Sequence, residues 1–187
     1  RIGAKSSFTS TISGTDLIVG ARAGNVQLLL YSVFRIGNAT SNISMNSLEA
    51  VKAQSDVAWV VPISLGDSHR GYRVMGTTSD YFKYYRYRNK QPLKFTEGQD
   101  FYDLFDVVVG AEIAEKLGYE MGTEIIVSHG IGAIDGAAHD NMPFKVSGIL
   151  QRTGTPVDRT VHISLEALEA IHIGWDSNNP IPITEVS

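Results

Sequence analysis

Asp106–Val127, DVVVGAEIAEKLGYEMGTEIIV, is the stretch from which the fold is read. Val107, Val108 and Val109 form a β-branched run that stops at Gly110, and AEIAEKLG then sets Ile113, Ala114 and Leu117 on one helical face. Gly118 suits the left-handed residue that closes a helix, Met121-Gly122 makes a turn, and Thr123–Val127 returns as a second β-rich run. The expectation is a strand–helix–strand unit that buries one helix face and exposes Glu112, Glu115, Lys116 and Glu120. It holds no Ser, His or Cys to act as nucleophile or base, so it reads as scaffold.

Working outward, 187 residues with 43% apolar and 19% charged side chains are enough for a proper core in one domain or two small lobes. The absence of cysteine excludes disulfides, thiolate metal sites and cysteine nucleophiles. A net charge of −4 offers no basic field for a phosphate backbone, so nucleic acid is not an expected partner. The cations are uneven all the same: Lys83, Arg86, Arg88, Lys90 and Lys94 fall in one short span, within an aromatic basic stretch that suits contact with protein or lipid head groups. No apolar run approaches the roughly 18 residues that span a bilayer. The start at Arg1 and the proline-punctuated exit Pro180–Thr184 read as a piece cut from something longer.

Before the opening stretch, Asp16–Gly20 reads as a short buried strand. From Asn25, Val26, Leu29, Leu30, Val33 and Phe34 recur at helical spacing, which predicts an amphipathic helix capped by Asn25 and stopped near Gly37. Ser47 is the expected cap of a second helix ending near Asp56. Val57–Leu65 is strand-like, Gly66–Gly71 a turn and Tyr72–Thr78 a strand, which makes a hairpin. Ser79 then caps a short aromatic helix, and the composition shift over Arg86–Asp100 marks a lobe boundary there or just before. Beyond the opening stretch, Pro143–Gln151 alternates as a strand around Phe144, Val146 and Ile149. Gly154–Asp158 is a turn and Arg159–Ile163 a strand. Ser164 opens a last helix with Leu165, Leu168 and Ile171 on one face.

Few polar groups suggest chemistry. Gly20-Ala21-Arg22-Ala23-Gly24 sits between a strand and a helix but carries neither dinucleotide nor P-loop fingerprint. His129, Asp135, His139 and Asp140, in the glycine-rich segment Ser128–Met142, could gather two imidazoles and a carboxylate around a divalent metal; helical H-x-x-x-H spacing is absent. That set is the basis of an alternative reading, a periplasmic metal-binding module or metal-dependent hydrolase. His69 with Arg70, and Asp158 with Arg159, read as turn-forming and ion-pairing residues. No catalytic residue and no cofactor is assigned.

The order of pieces resembles the periplasmic core domain of MacB-like, FtsX-type ABC transporter permeases, an extracytoplasmic insert between membrane helices. DLIVGARAGNVQLLLYSVF, VVVGAEIAEKLGYEMGTEIIV and FKVSGILQRTGTPVDRTVHISLEALEAIH carry the resemblance. It implies a mixed α/β (α+β) domain of two lobes: a porter-like lobe from residues 12–80 and 152–187, with residues 81–151 inserted as a sabre-like lobe. It further implies a non-catalytic domain on the periplasmic side of the inner membrane. Such a domain couples ATP hydrolysis by a cytoplasmic ABC ATPase subunit to substrate export or partner signalling. A homodimer or heterodimer of permeases and a periplasmic adaptor are the implied partners. The histidine-bearing segment 128–142 departs from the family pattern.

Overall fold

A computed structural model describes residues 10–20, 25–37, 43–129 and 143–176. Its elements in chain order are α1 (Asn25–Ser32), α2 (Met45–Lys52), β1 (Ser64–His69), β2 (Tyr72–Thr77), α3 (Ser79–Tyr84), β3 (Arg86–Tyr87) and β4 (Gln91–Pro92). There follow β5 (Phe95–Gly98), β6 (Asp106–Val109), α4 (Ala111–Leu117), β7 (Glu124–Ile125), β8 (Ser128–His129) and β9 (Phe144–Leu150). A 3-10 turn (Pro156–Arg159), β10 (Thr160–Ser164) and α5 (Leu165–Asp176) complete them. One mixed sheet organises the fold in the order β5-β9-β6-β10-β2-β1-β8, with β7 also on β9. The β6–β9 and β2–β10 pairs are parallel and the remaining pairs antiparallel, an α+β arrangement.

Both faces of the central strands are covered, which explains why β6 is uniformly apolar rather than alternating. Val107 and Val109 point to a core shared with Ile113 of α4, Val74, Val161, Ile163 and the α5 residues Ala167, Leu168 and Ile171. Val108 points to the other face, where Met75, Tyr81, Phe82, Tyr85, Leu150 and Val157 form an aromatic core over α3. In β9, Phe144, Val146 and Ile149 share a core although period two would pair 146 with 148. A bulge between Val107↔Val146 and Val108↔Gly148 supplies the extra residue and shifts the phase. The sheet crosses the lobe boundary expected near residue 80, and both cores draw on residues from either side of it.

The opening unit forms as read, with one shortening. Gly118 closes α4 at φ 68, but the return strand covers Glu124–Ile125 only. Ile126 and Val127 leave β9 because the chain must bring Ser128–His129 alongside β1, pairing Asp67↔His129 and Ser68↔Ser128. Gly110 serves close packing: its φ is −69, and a Cβ there would lie 2.3 Å from the Val157 carbonyl oxygen.

Several boundaries move. The hairpin exists, but its first strand is Ser64–His69 with a bulge between Leu65 and Asp67, not Val57–Leu65, and the turn is the tight Arg70-Gly71. Residues 16–20 join no ladder, and Leu17 and Val19 are 76% and 49% exposed, so the expected buried strand is absent there. A short apolar run carries no information about which sheet edge is free to receive it. The first helix ends before Gly37: Arg35 takes the left-handed position (φ 60) and the Ile36 amide donates back to the Leu30 carbonyl at 2.9 Å. Ser44, not Ser47, caps α2, accepting from the Ser47 amide, and Thr78 precedes α3 without a side-chain cap. At α5 the expected cap forms: Ser164 Oγ accepts from the Ala167 amide at 3.0 Å.

Candidate functional site

The surface that contacts could use lies on the N-terminal elements. Helix α1 is pinned by Val33, which is buried, and by Tyr31, whose hydroxyl donates to the Leu65 carbonyl at 2.6 Å and accepts from the Leu65 amide at 2.9 Å. Arg35, 6% exposed, reaches the Ser32 carbonyl and the Tyr81 hydroxyl. Of the predicted stripe, Val33 is buried as expected and Phe34 half-buried, but the earlier turns face outward. Val26 is 70% exposed and Leu29 and Leu30 are exposed too, whereas the sequence placed all three inward. Among the described residues, eight of the twelve exposed large apolar side chains fall between Leu17 and Met45. Scattered exposed apolars need no explanation, and this run is concentrated in sequence on the N-terminal elements. Because Tyr31 satisfies both polar groups of one residue at the edge of β1, Tyr31→Phe is expected to cost about 2 kcal/mol. Urea unfolding with an unchanged midpoint would refute that anchoring role.

A second concave feature opens where β2 and β10 end and α3 and α5 begin. This cleft of about 460 Å³ is lined by Thr78, Asp80, Phe101, Tyr102, Asp103, Leu104, Ser164 and Glu166. Asp106 Oδ2 holds its 101–104 rim by accepting from the amides of Tyr102 and Asp103, at 2.9 and 2.8 Å. Tyr102 and Leu104 are left exposed on that rim.

Several buried polar side chains elsewhere hold ladders and turns together. His69, expected in a turn, lies in β1 and is buried; its Nδ1 is 2.6 Å from the Ile126 carbonyl and its Nε2 2.6 Å from the Tyr119 hydroxyl. Asp67, also buried, faces His172 of α5 at 3.6 Å. Asp158 accepts from the amides of Thr153 and Gly154 and from the Thr153 hydroxyl, at 2.7, 2.8 and 2.9 Å, and so shapes the turn before β10. Arg70 is an exposed turn residue, and Arg159 lies 3.7 Å from Glu112 and over the Tyr72 ring. The roles of Asp67 and His69 were not legible, since SLGDSH has no strand pattern and their partners come from remote segments. His162 is fully buried in β10: its Nδ1–H donates to the Val108 carbonyl at 3.0 Å, and its Nε2 has no partner among the described residues. Burial in this aromatic setting pushes its pKa down to about 3.

Of the candidate metal ligands, His129 lies on β8, while Asp135, His139 and Asp140 lie outside the described residues, as do Ala21–Gly24 of the strand-to-helix glycine turn. Among the described residues no three His, Asp or Glu side chains gather as metal ligands would. No described helix is long and apolar enough to cross a membrane.

No curated protein matches the chain. The family model for the MacB-like periplasmic core domain matches residues 2–181, almost the whole sequence. With the α+β sheet and its quoted central unit in place, the chain belongs to the MacB-like periplasmic core domain family, an extracytoplasmic part of ABC transporter permeases that work with an ATPase partner.

Proposed function

We propose that this domain is a non-catalytic coupling element: ATP hydrolysis by a cytoplasmic ABC ATPase moves it, and its movement drives substrate export or signals to a partner. The family match over residues 2–181 carries this reading. The continuous sheet supports it, since strands from both segments share ladders. Under this reading residues 12–80 with 152–187, and residues 81–151, are the porter-like and sabre-like parts of one unit at the inner membrane. Two permeases pair in the transporter, and the exposed apolar segment between Leu17 and Met45 is where a partner permease or periplasmic adaptor is met.

The sequence is free of cysteine, so Ser55→Cys introduces a single labelling site for this domain at an exposed position beyond α2. With a spin label there in the intact permease–ATPase complex, the distance between paired domains is expected to shift between nucleotide-free and ATP-bound states. An identical distance distribution in both states would sink the coupling role. Turnover of any substrate by the purified domain alone, abolished by one polar substitution, would sink the non-catalytic one.

A further inference from the structure

We propose that the turn joining β3 to β4 forms an anion site for a phosphate group. Arg88, Asn89 and Lys90 follow one another with φ of 31°, 48° and 60°, three successive non-glycine residues in the left-handed region. Such backbone persists only where its surroundings hold it, and it concentrates at functional positions. Here residues 10–13 provide the hold. The Ser13 amide donates to the Arg86 carbonyl at 2.9 Å, the Arg88 amide to the Ser10 carbonyl at 3.3 Å, and the Lys90 amide to Ser13 Oγ at 3.0 Å. The buried Tyr85 hydroxyl fixes the same segment by donating to the Thr11 carbonyl at 2.6 Å.

The result is a shallow cleft of about 400 Å³ lined by Ser10, Ser13, Arg88, Asn89 and Lys90, with no carboxylate among the described residues of its wall. In a chain of net charge −4 this local excess of cations stands out. Two other members of the basic span are engaged: Arg86 donates to the carbonyls of Lys83 and Tyr85, and the Lys83 ammonium lies over the Tyr84 ring. Arg88 and Lys90 make no ion pair and no side-chain hydrogen bond among the described residues, yet their stems are positioned. The Arg88 guanidinium passes so close to Gly154 that Nη2 is 3.0 Å from where a Cβ would sit, and the Lys90 stem packs against Gly14.

The lining of the cleft thus includes an arginine, a lysine and two serines. Ser13 Oγ accepts from the Lys90 amide and keeps its own proton to donate. Two full positive charges and two hydroxyls on residues of one cleft suit a tetrahedral oxyanion, whose oxygens accept from a guanidinium and an ammonium. The phosphate could come from an anionic phospholipid headgroup or from a soluble phosphate ester. This site is independent of the coupling role proposed above.

The test uses the 187-residue chain and its Arg88→Ala, Lys90→Ala double variant, with circular dichroism as the check on folding. Both side chains are exposed, so the variant is expected to fold as the parent does. Titration with inorganic phosphate, followed by amide NMR, is expected to shift Arg88, Asn89 and Lys90 saturably, and the double variant to bind at least tenfold more weakly. Co-sedimentation with phosphatidylglycerol vesicles, against phosphatidylcholine vesicles, distinguishes the source. Retention on the former, lost in the variant, assigns the site to a headgroup; phosphate binding without retention assigns it to a soluble ester. No saturable shift together with no vesicle retention overturns the proposal, as does phosphate or vesicle binding that the double variant keeps in full.

Discussion

Lowering the pH from about 7 to about 4 is expected to remove about 3 kcal/mol of stability through one side chain, His162. Its pKa falls from 6.5 to about 3 in the fold, chiefly through burial and further through the Arg35 charge, against the opposing effect of the Val108 hydrogen bond. Between those two values the unfolded chain holds the proton and the folded chain does not, so stability rises with pH across the window. The contribution is complete above about pH 6.5, is lost as the pH falls through the window, and changes no further below about 3. Structurally, a proton arriving at Nε2 meets no acceptor and places a charge beside the Tyr81 and Phe82 rings, 5.3 and 5.7 Å away. Surface carboxylates also titrate in acid, so the informative measurement is a difference: denaturant unfolding against pH for the parent and for His162→Phe. The parent should lose stability more steeply between about pH 6 and about pH 4. Parallel curves would show that His162 does not supply the slope.

Gly110→Ala should destabilise the fold by about 4 kcal/mol, above the range of ordinary overpacking, because the obstruction is backbone. The added Cβ would stand 2.3 Å from the Val157 carbonyl oxygen, 2.4 Å from that of Asp158 and 2.5 Å from the Asp158 carbonyl carbon. No rotamer change relieves contacts with main-chain atoms. Those atoms also belong to the turn whose shape Asp158 fixes. Gly118→Ala is the control: its φ is 68° but nothing lies within 4 Å, so only conformational strain of about 1 kcal/mol is expected. Equal losses at the two positions would mean that close packing at the β6–α4 junction is not what Gly110 provides.

The sequence disclosed most where local pattern and long-range packing agree. In Asp106–Leu117 a β-branched run covered on both faces, a helix with one apolar face and a left-handed Gly118 all specify the same unit, and it forms. The final helix was legible for the same reason, its Leu168 and Ile171 buried and its Ser164 cap made. Helix α1 was not. Its apolar spacing reveals a stripe but not what covers it: of that stripe Val33 docks, and the other anchors are Tyr31 and Arg35, polar residues with partners across the fold at Leu65 and Tyr81. Strand β1 was displaced for a related reason: Asp67, Ser68 and His69 look like turn residues until the ladders on either side and the contacts from Tyr119 and Ile126 are known. The cation cluster was visible as composition, but the left-handed run that shapes its cleft depends on a segment some 75 residues away in sequence, where Ser13 meets Lys90.

Strand β10 sits between β2, which it meets in parallel over five residue pairs, and β6, which it meets antiparallel over three, and it passes into α5 at Ser164-Leu165 without a loop. A load arriving through α5 therefore reaches the middle of the sheet with nothing compliant in between. Tension along β10 stresses two rows of hydrogen bonds in shear, where they share the strain and yield together. At the margin, β8 meets β1 over two pairs among the described residues. The centre of the sheet is thus tied by longer ladders than its described margin, and that margin is where the histidine-bearing segment begins.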